Sequence, residues 1–398
     1  MKKVDFFIFM PVNYLGLDTT IPFLSCLKKP GKNINCIFWN PQSFGLLSSF
    51  PAFYKILTEI GSISVIDTTS FYRLFCSYGS VMLRILIASN PRIITEGSTT
   101  DKTNIFSTPL RLLSKFKGIF YVIQKYSAPM SFSYIEEYYL SGLNDPEQRR
   151  ILGKSPGTFE AYSEKSYLGT VLLQSQYEDE RADFFGHSKK RLYLGYYKLH
   201  KSWSNIVEAN PCGGSATLQK EKSFIVNLAK KSGEHYFDSA GTAQILLQET
   251  IEHIRKYYKN TLIVLKLKPY KMANATNDWF KSFVTESKDE RLVIDDTPVA
   301  FMAPKTIVAL FTVPSTAYID FVINEVPCIT HARYGKNYHK VHPKGEYLSD
   351  FGVLKTSTIE ELDKAISTVK DGTFNVMTRD SLKQHLAHID DESTFEML

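Results

Sequence analysis

Hydroxyls, lysines and carboxylates gather where the chain's short apolar runs stop. The run "TIVALF" leads through Thr312, Val313 and Pro314 to Ser315 and Thr316, which stand where a helix "STAYIDFVIN" is expected to begin. A helix start carries unsatisfied N–H groups and partial positive charge, so phosphate binds there. A hydroxyl that caps only its own helix is the other reading. Upstream, "TLIVLKLKP" ends in Lys266, Lys268 and Pro269. Lysine there supplies a point charge for phosphate, or is a solvated strand end. Asp238 lies in the polar stretch "SGEHYFDSAGTAQ", beside Ser239 and Gly241, and either reaches a ligand or closes an Asx turn. Glu96 closes "PRIITEG", and Glu160 lies in "SPGTFEAYSEKSY". A carboxylate at a strand's carboxyl end is placed to take a proton from a hydroxyl, although both glutamates also suit an exposed surface.

These groups need elements to hold them. Strand-like runs alternate with helical stretches along the whole chain: "VDFFIFMPV", "INCIFWN", "SISVIDT", "PRIITEG", "GIFYVIQKY", "TVLLQSQ" and "RLYLGYY", then "SFIVNLA", "TLIVLKLKP", "RLVIDD", "TIVALFTV", "PCITHA" and "GVLKTS". Most are continuous rather than alternating apolar runs, the pattern of parallel strands covered on both faces. Amphipathic segments such as "AQILLQETIEHIRKYYKN" lie between them. The fold class is therefore α/β, doubly wound. The stretch "HKSWSNIVEANPCGGSATLQKEK" lacks apolar periodicity and holds Pro211, Gly213 and Gly214, which predicts a boundary between domains 1–210 and 211–398. Open α/β sheets bind ligands at the carboxyl ends of their strands, so two Rossmann-like domains are expected to face a central cleft.

Bulk properties narrow the classes. The 398 residues are 43% hydrophobic and 22% charged, values of a globular chain rather than a disordered one. The net charge of +6 suits a phosphate-bearing substrate or an anionic membrane surface, and no dense Lys/Arg block points to nucleic acid. Five scattered cysteines lack metal spacing and suggest a reducing compartment. The opening "MKKVDFFIFMPVNYLG" reads as a first buried strand rather than a signal peptide, because Asp5 interrupts it and no small-residue cleavage site follows. The expectation is a cytoplasmic protein, with peripheral contact at the inner face of a membrane as an option. "LGLDTT" has one glycine, not a Gly-x-Gly-x-x-Gly cradle, so no nicotinamide or flavin cofactor is expected. "RYGKNYHKVHPKGEY" offers His339 and His342, without a third metal ligand.

The order from Lys268-Pro269 through the Ser315-Thr316 turn to Asn324-Glu325-Val326-Pro327 and "CITHA" resembles the carboxyl-terminal domain of GT-B glycosyltransferases. The nearest likeness is to bacterial capsule, teichoic-acid and Kdo transferases, whose donors are CMP- or CDP-activated. In the amino-terminal half, "KRLYLGYYKLHKSW" sits where such proteins place a Gly-x-x-Lys-Leu-Asp turn. The family's strand end reads Lys-x-His-Pro; here Lys268 replaces the histidine, which keeps a phosphate contact and removes a proton carrier.

The resemblance implies a metal-independent glycosyltransferase acting on a nucleotide sugar, a CMP-linked ulosonic acid such as Kdo first, with a surface glycan or lipid-linked glycan as acceptor. It assigns Lys268, Pro269, Ser315 and Thr316 to the nucleotide. Asp238 becomes a nucleophile or a stabiliser of an oxocarbenium-like centre, and Glu160 and Glu96 serve the acceptor. A CDP-polyol phosphotransferase of the teichoic-acid type and a catalytically silent nucleotide- or glycan-binding subunit are the alternatives.

Overall fold

The computed structural model describes residues 4–11, 14–96, 119–123, 170–175, 190–227, 241–266, 274–312, 315, 317–341 and 350–398. The chain divides into two compact units. The first takes in the described residues up to Ala209 together with Leu386–Leu398, and the second Asn210–His385.

In the first unit the apolar runs become β1 (Val4–Phe9), β2 (Lys32–Phe38), β3 (Ser62–Val65), β4 (Pro91–Glu96), β5 (Ile119–Ile123), β6 (Thr170–Leu173) and β7 (Lys190–Tyr193). They form one parallel sheet in the order 3-2-1-4-5-6-7. Parallel neighbours require crossovers, which are supplied by α1 (Tyr14–Leu27), α2 (Pro41–Ser48), α3 (Pro51–Ile60) and α4 (Phe71–Ile87). Local chemistry sets their starts. Asn40 accepts the Ser43 N–H at 2.7 Å and Ser70 accepts that of Arg73 at 3.3 Å, while prolines open α2 and α3. Val81 and Ile85 of α4 join Phe7, Phe9, Ile37 and Ile93 of the sheet in one apolar cluster.

The second unit repeats the plan with β8 (Ser223–Asn227), β9 (Leu262–Lys266), β10 (Leu292–Asp295), β11 (Thr306–Phe311), β12 (Cys328–His331) and β13 (Leu354–Thr356). Their order is 10-9-8-11-12-13, again all parallel. Counted from its own first strand this is 3-2-1-4-5-6, the doubly wound order of the first sheet. The helix α7 (Thr242–Tyr257) and the later α9 (Ile359–Lys370) cover one face. Leu247, Ile251 and Ile254 of the former pack with Leu362 and Ile366 of the latter over Phe224, Ile263 and Leu310. A reciprocal capping box between Thr358 and Glu361 starts α9.

Near the predicted boundary the chain is helical, and one expectation, the reach of the second domain, changes. The stretch around residue 210 is ordered: α5 (Lys201–Ala209) buries Trp203 and Val207 one turn apart, and α6 (Ala216–Lys220) is capped by Ser215. Its buried residues are too few to show as periodicity. The tail Leu386–Leu398, read from sequence as part of a domain 211–398, belongs to the first unit. Phe395 is fully buried beside Phe23 and Tyr197. Ser202 donates its hydroxyl to Glu392 at 2.6 Å, and Lys32 and Arg92 donate to the carbonyls of Phe395 and Leu398.

Candidate functional site

Strand order locates the crevices. In the second sheet β8 and β11 are neighbours, and the chain leaves β8 toward one edge and β11 toward the other. Such a reversal leaves a gap at the strands' carboxyl ends, where open α/β sheets take their ligands. Thr312 and Ser315 follow β11 directly into that position. Thr312 is buried and Ser315 half-buried.

The local fold of Ser315 departs from expectation. Its hydroxyl accepts the N–H of Ala317 at 3.4 Å and its carbonyl accepts that of Tyr318 at 3.2 Å. The serine makes a tight turn, and the helix α8 (Tyr318–Ile323) begins only after it, with Ala317 at the N-cap and no side-chain cap. The expectation that Ser315 or Thr316 caps a ten-residue helix is corrected: the hydroxyl bonds two residues on, and the helix is six residues long and wholly buried. A phosphate there would meet the turn's hydroxyl and N–H groups more than a helix dipole, which needs length to build.

Across β8 from β11, the carboxyl end of the sheet carries charge. Register places Lys266 between Asn227 and Asp295 at the ends of β9, β8 and β10. Lys266 is 3% exposed, so its reading as a solvated strand end is corrected: the ammonium is held inside the protein, where a cation needs polar company. Asp295 accepts the Ser215 hydroxyl at 2.6 Å and the Thr297 N–H at 2.7 Å, which ties the segment entering the unit to the sheet's end.

A second polar group, which sequence reading missed, closes β12. The His331 ring is fully buried. Its Nε2 lies 3.2 Å from Glu249 of α7 and its Nδ1 3.0 Å from the Thr356 hydroxyl. Arg333 donates to the same Glu249 carboxylate at 2.6 Å. Burial holds the imidazole below its ordinary range, opposed by its bond to Glu249. His331 ends an apolar strand, a place where sequence gives no sign that its partners lie 82 and 25 residues away.

In the first sheet the switch falls between β1 and β4. Glu96 closes β4, its backbone paired with Ile123, so it reaches the expected position in the chain. At the ends of β1 and β2, Phe9 and Trp39 stack in the core with centroids 4.6 Å apart. The Gly195–Leu199 turn anticipated from "GYYKL" is buried, and Lys198 pairs with Asp18 of α1 at 2.7 Å. Gly195 has φ +75, and a Cβ there would lie 2.5 Å from the carbonyl oxygen of Ile389. Glu160, Asp238, Lys268, Pro269 and Thr316 lie outside the described residues. Among the described residues no group of three His, Cys, Asp or Glu side chains is placed to hold a metal, and no helix is long and apolar enough to cross a membrane.

Both units are Rossmann-like, and the chain has the GT-B fold. Solved structures match this class along the full chain. The UDP-GlcNAc 2-epimerase of Methanocaldococcus jannaschii is 13% identical with a TM-score of 0.53, covering 100% of this chain and 98% of its own. A UGT transferase from Siraitia grosvenorii, solved with UDP, is 12% identical with a TM-score of 0.49 over 99% and 98%. No protein-family model and no curated protein matches the sequence. At these identities the likeness is one of fold.

Proposed function

We propose that the protein is a glycosyltransferase that takes its donor, a nucleotide sugar, at the carboxyl end of the second sheet. The carrying observation is the set of polar groups at that sheet's carboxyl end: Thr312 and the Ser315 turn after β11, with the buried Lys266 two strands away at the end of β9. Positive charge and N–H donors there stabilise a departing nucleotide phosphate as its charge develops. On this reading Lys268, Pro269, Ser315 and Thr316 hold the nucleotide and Asp238 acts at the anomeric carbon. Glu96 or Glu160 takes the acceptor's proton. No resident cofactor or metal is required. The donor favoured by the resemblance of Lys268-Pro269 and the Ser315-Thr316 turn is a CMP-linked ulosonic acid, with a surface-glycan acceptor.

A second reading, epimerisation of a UDP-sugar, has the fold likeness to the M. jannaschii UDP-GlcNAc 2-epimerase in its favour. A donor panel of CMP-Kdo, UDP-GlcNAc and CDP-glycerol, with and without a glycan acceptor, separates the readings by product. Acceptor-dependent release of CMP with sugar transfer supports the leading reading. An acceptor-independent change of sugar configuration supports epimerisation, and transfer of glycerol phosphate supports the polyol alternative. No turnover and no nucleotide binding at millimolar concentration would leave a silent subunit.

A further inference from the structure

Among the described residues the first unit carries a large apolar surface exposed on one helix. Helix α4 packs Val81 and Ile85 onto the sheet, yet its outer side is also apolar: Phe71 is 84% exposed, Tyr72 76%, Phe75 70%, Leu83 58%, Leu86 43% and Ile87 73%. An amphipathic surface helix should turn polar residues outward. Here the outward face holds six large apolar side chains and the helix contains no acidic residue. With aromatic side chains contributing about 150–250 Å² each, this stripe leaves on the order of 600 Å² of apolar surface in water. That stands at the upper end for the largest patch of an ordinary monomer and approaches the roughly 800 Å² per partner of a stable protein interface.

The pattern of the stripe indicates what covers it. Gly79 stands at its middle, and a Cβ built there meets nothing within 4 Å. The six residues fall in pairs at equal distance on either side of it: Phe75 with Leu83, Tyr72 with Leu86, and Phe71 with Ile87. At 3.6 residues per turn all six lie within about 80° of Gly79 around the axis, and the stripe runs about 24 Å along it. Rotation by a half-turn about an axis through Gly79 lays each aromatic residue of one helix against an aliphatic residue of an identical antiparallel helix. That is the self-complementarity a two-fold interface demands. The glycine lets the two backbones approach at the crossing point. A lipid surface would gain nothing from that symmetry, and the glycine would leave a gap in its contact.

We propose that α4 is the interface for a second copy of this chain, paired antiparallel about Gly79 in a two-fold dimer. The inference rests on the first unit alone and holds whichever reaction the protein performs. The test uses the full-length protein. Sedimentation equilibrium at micromolar concentration is expected to give twice the chain mass, and Phe75→Asp to give the single-chain mass with an unchanged circular dichroism spectrum. In a Cys76→Ser background, Gly79→Cys should form an intermolecular disulfide under mild oxidation, whereas Arg73→Cys, about 120° around the helix, should not. Single-chain mass at 50 µM for the native protein overturns the proposal. So does equal crosslinking from both positions, or a dimer that Phe75→Asp leaves intact. Co-flotation of a monomeric native chain with anionic phospholipid vesicles, abolished by Phe75→Asp, would assign the face to a membrane and refute the dimer.

Discussion

The two sheets share a strand order but end differently. At the carboxyl ends of β1 and β2 the first buries Phe9 stacked on Trp39 in its core, and its buried ion pair, Lys198 with Asp18, joins the turn after β7 to α1. The second presents Lys266 and Asp295, then Thr312, then His331 with Glu249 and Arg333. One topology thus ends in packed aromatic side chains in one unit and in charged and polar groups in the other. Charge with N–H donors suits phosphate. The proposed seat of the nucleotide on the second unit draws on that contrast.

The contrast can be broken from either side. The largest effect should come from the first unit's ion pair. Lys198→Ala strands the buried Asp18 carboxylate, and urea unfolding should show a loss of about 3–5 kcal/mol. The double change Lys198→Met with Asp18→Leu should recover most of it. If Lys198→Ala costs no stability, the pair is not the clamp described here. Gly195→Ala comes next. It forces a Cβ against the Ile389 carbonyl at positive φ, and a loss of about 2–3 kcal/mol is expected, read as the same shift in unfolding midpoint.

In the second unit the expected effects fall on binding rather than folding. Ser315→Ala removes one hydroxyl from a half-buried turn, so calorimetric titration should show nucleotide affinity falling about tenfold with little change in melting temperature, the worth of one hydrogen bond to a charged group. A fall in stability with unchanged affinity would make the turn purely structural. His331 gives a pH signature. Its folded pKa lies below that of an unfolded imidazole, so the unfolded chain binds the proton first. Stability should be complete above about pH 6.5 and decline as pH falls below it, and His331→Gln should flatten that slope.

The smallest effect belongs to Asp363, held at about 2 by hydrogen bonds from Lys256 and Tyr257, with His253 also in contact. Its contribution should be full above the ordinary carboxylate range and be lost as pH falls toward 2. Asp363→Asn should therefore cost under about 1 kcal/mol near neutrality, as for other partly exposed pairs.

Much of this was legible in the sequence because parallel strands advertise themselves. Each of the thirteen described strands overlaps one of the apolar runs read from the chain, from "VDFFIFMPV" to "GVLKTS", and eleven lie wholly inside theirs. Continuous Val, Ile and Phe runs have few other ways to be buried. Helix starts were less legible. Ser315 has the composition of a cap, and only the geometry of its i to i+2 bond shows that the helix waits until Tyr318. Burial of charge was illegible, since Lys266, Lys198 and His331 each depend on neighbours distant in the chain. So did the return of Phe395 to the first unit. The outward stripe of α4 was present in the sequence as "FYRLFCSYGSVMLRILI", but an apolar run cannot say which of its faces the fold covers.

The central claim is that nucleotide sits at the switch point of the second sheet. Hydrogen exchange on the full-length protein, with and without millimolar CMP, CDP or UDP, tests it most directly. The account predicts slowed exchange in the segments that follow β8, β9 and β11, above all the N–H groups around Ser315 and Ala317. Protection confined to the first unit, or none with any nucleotide, would contradict it.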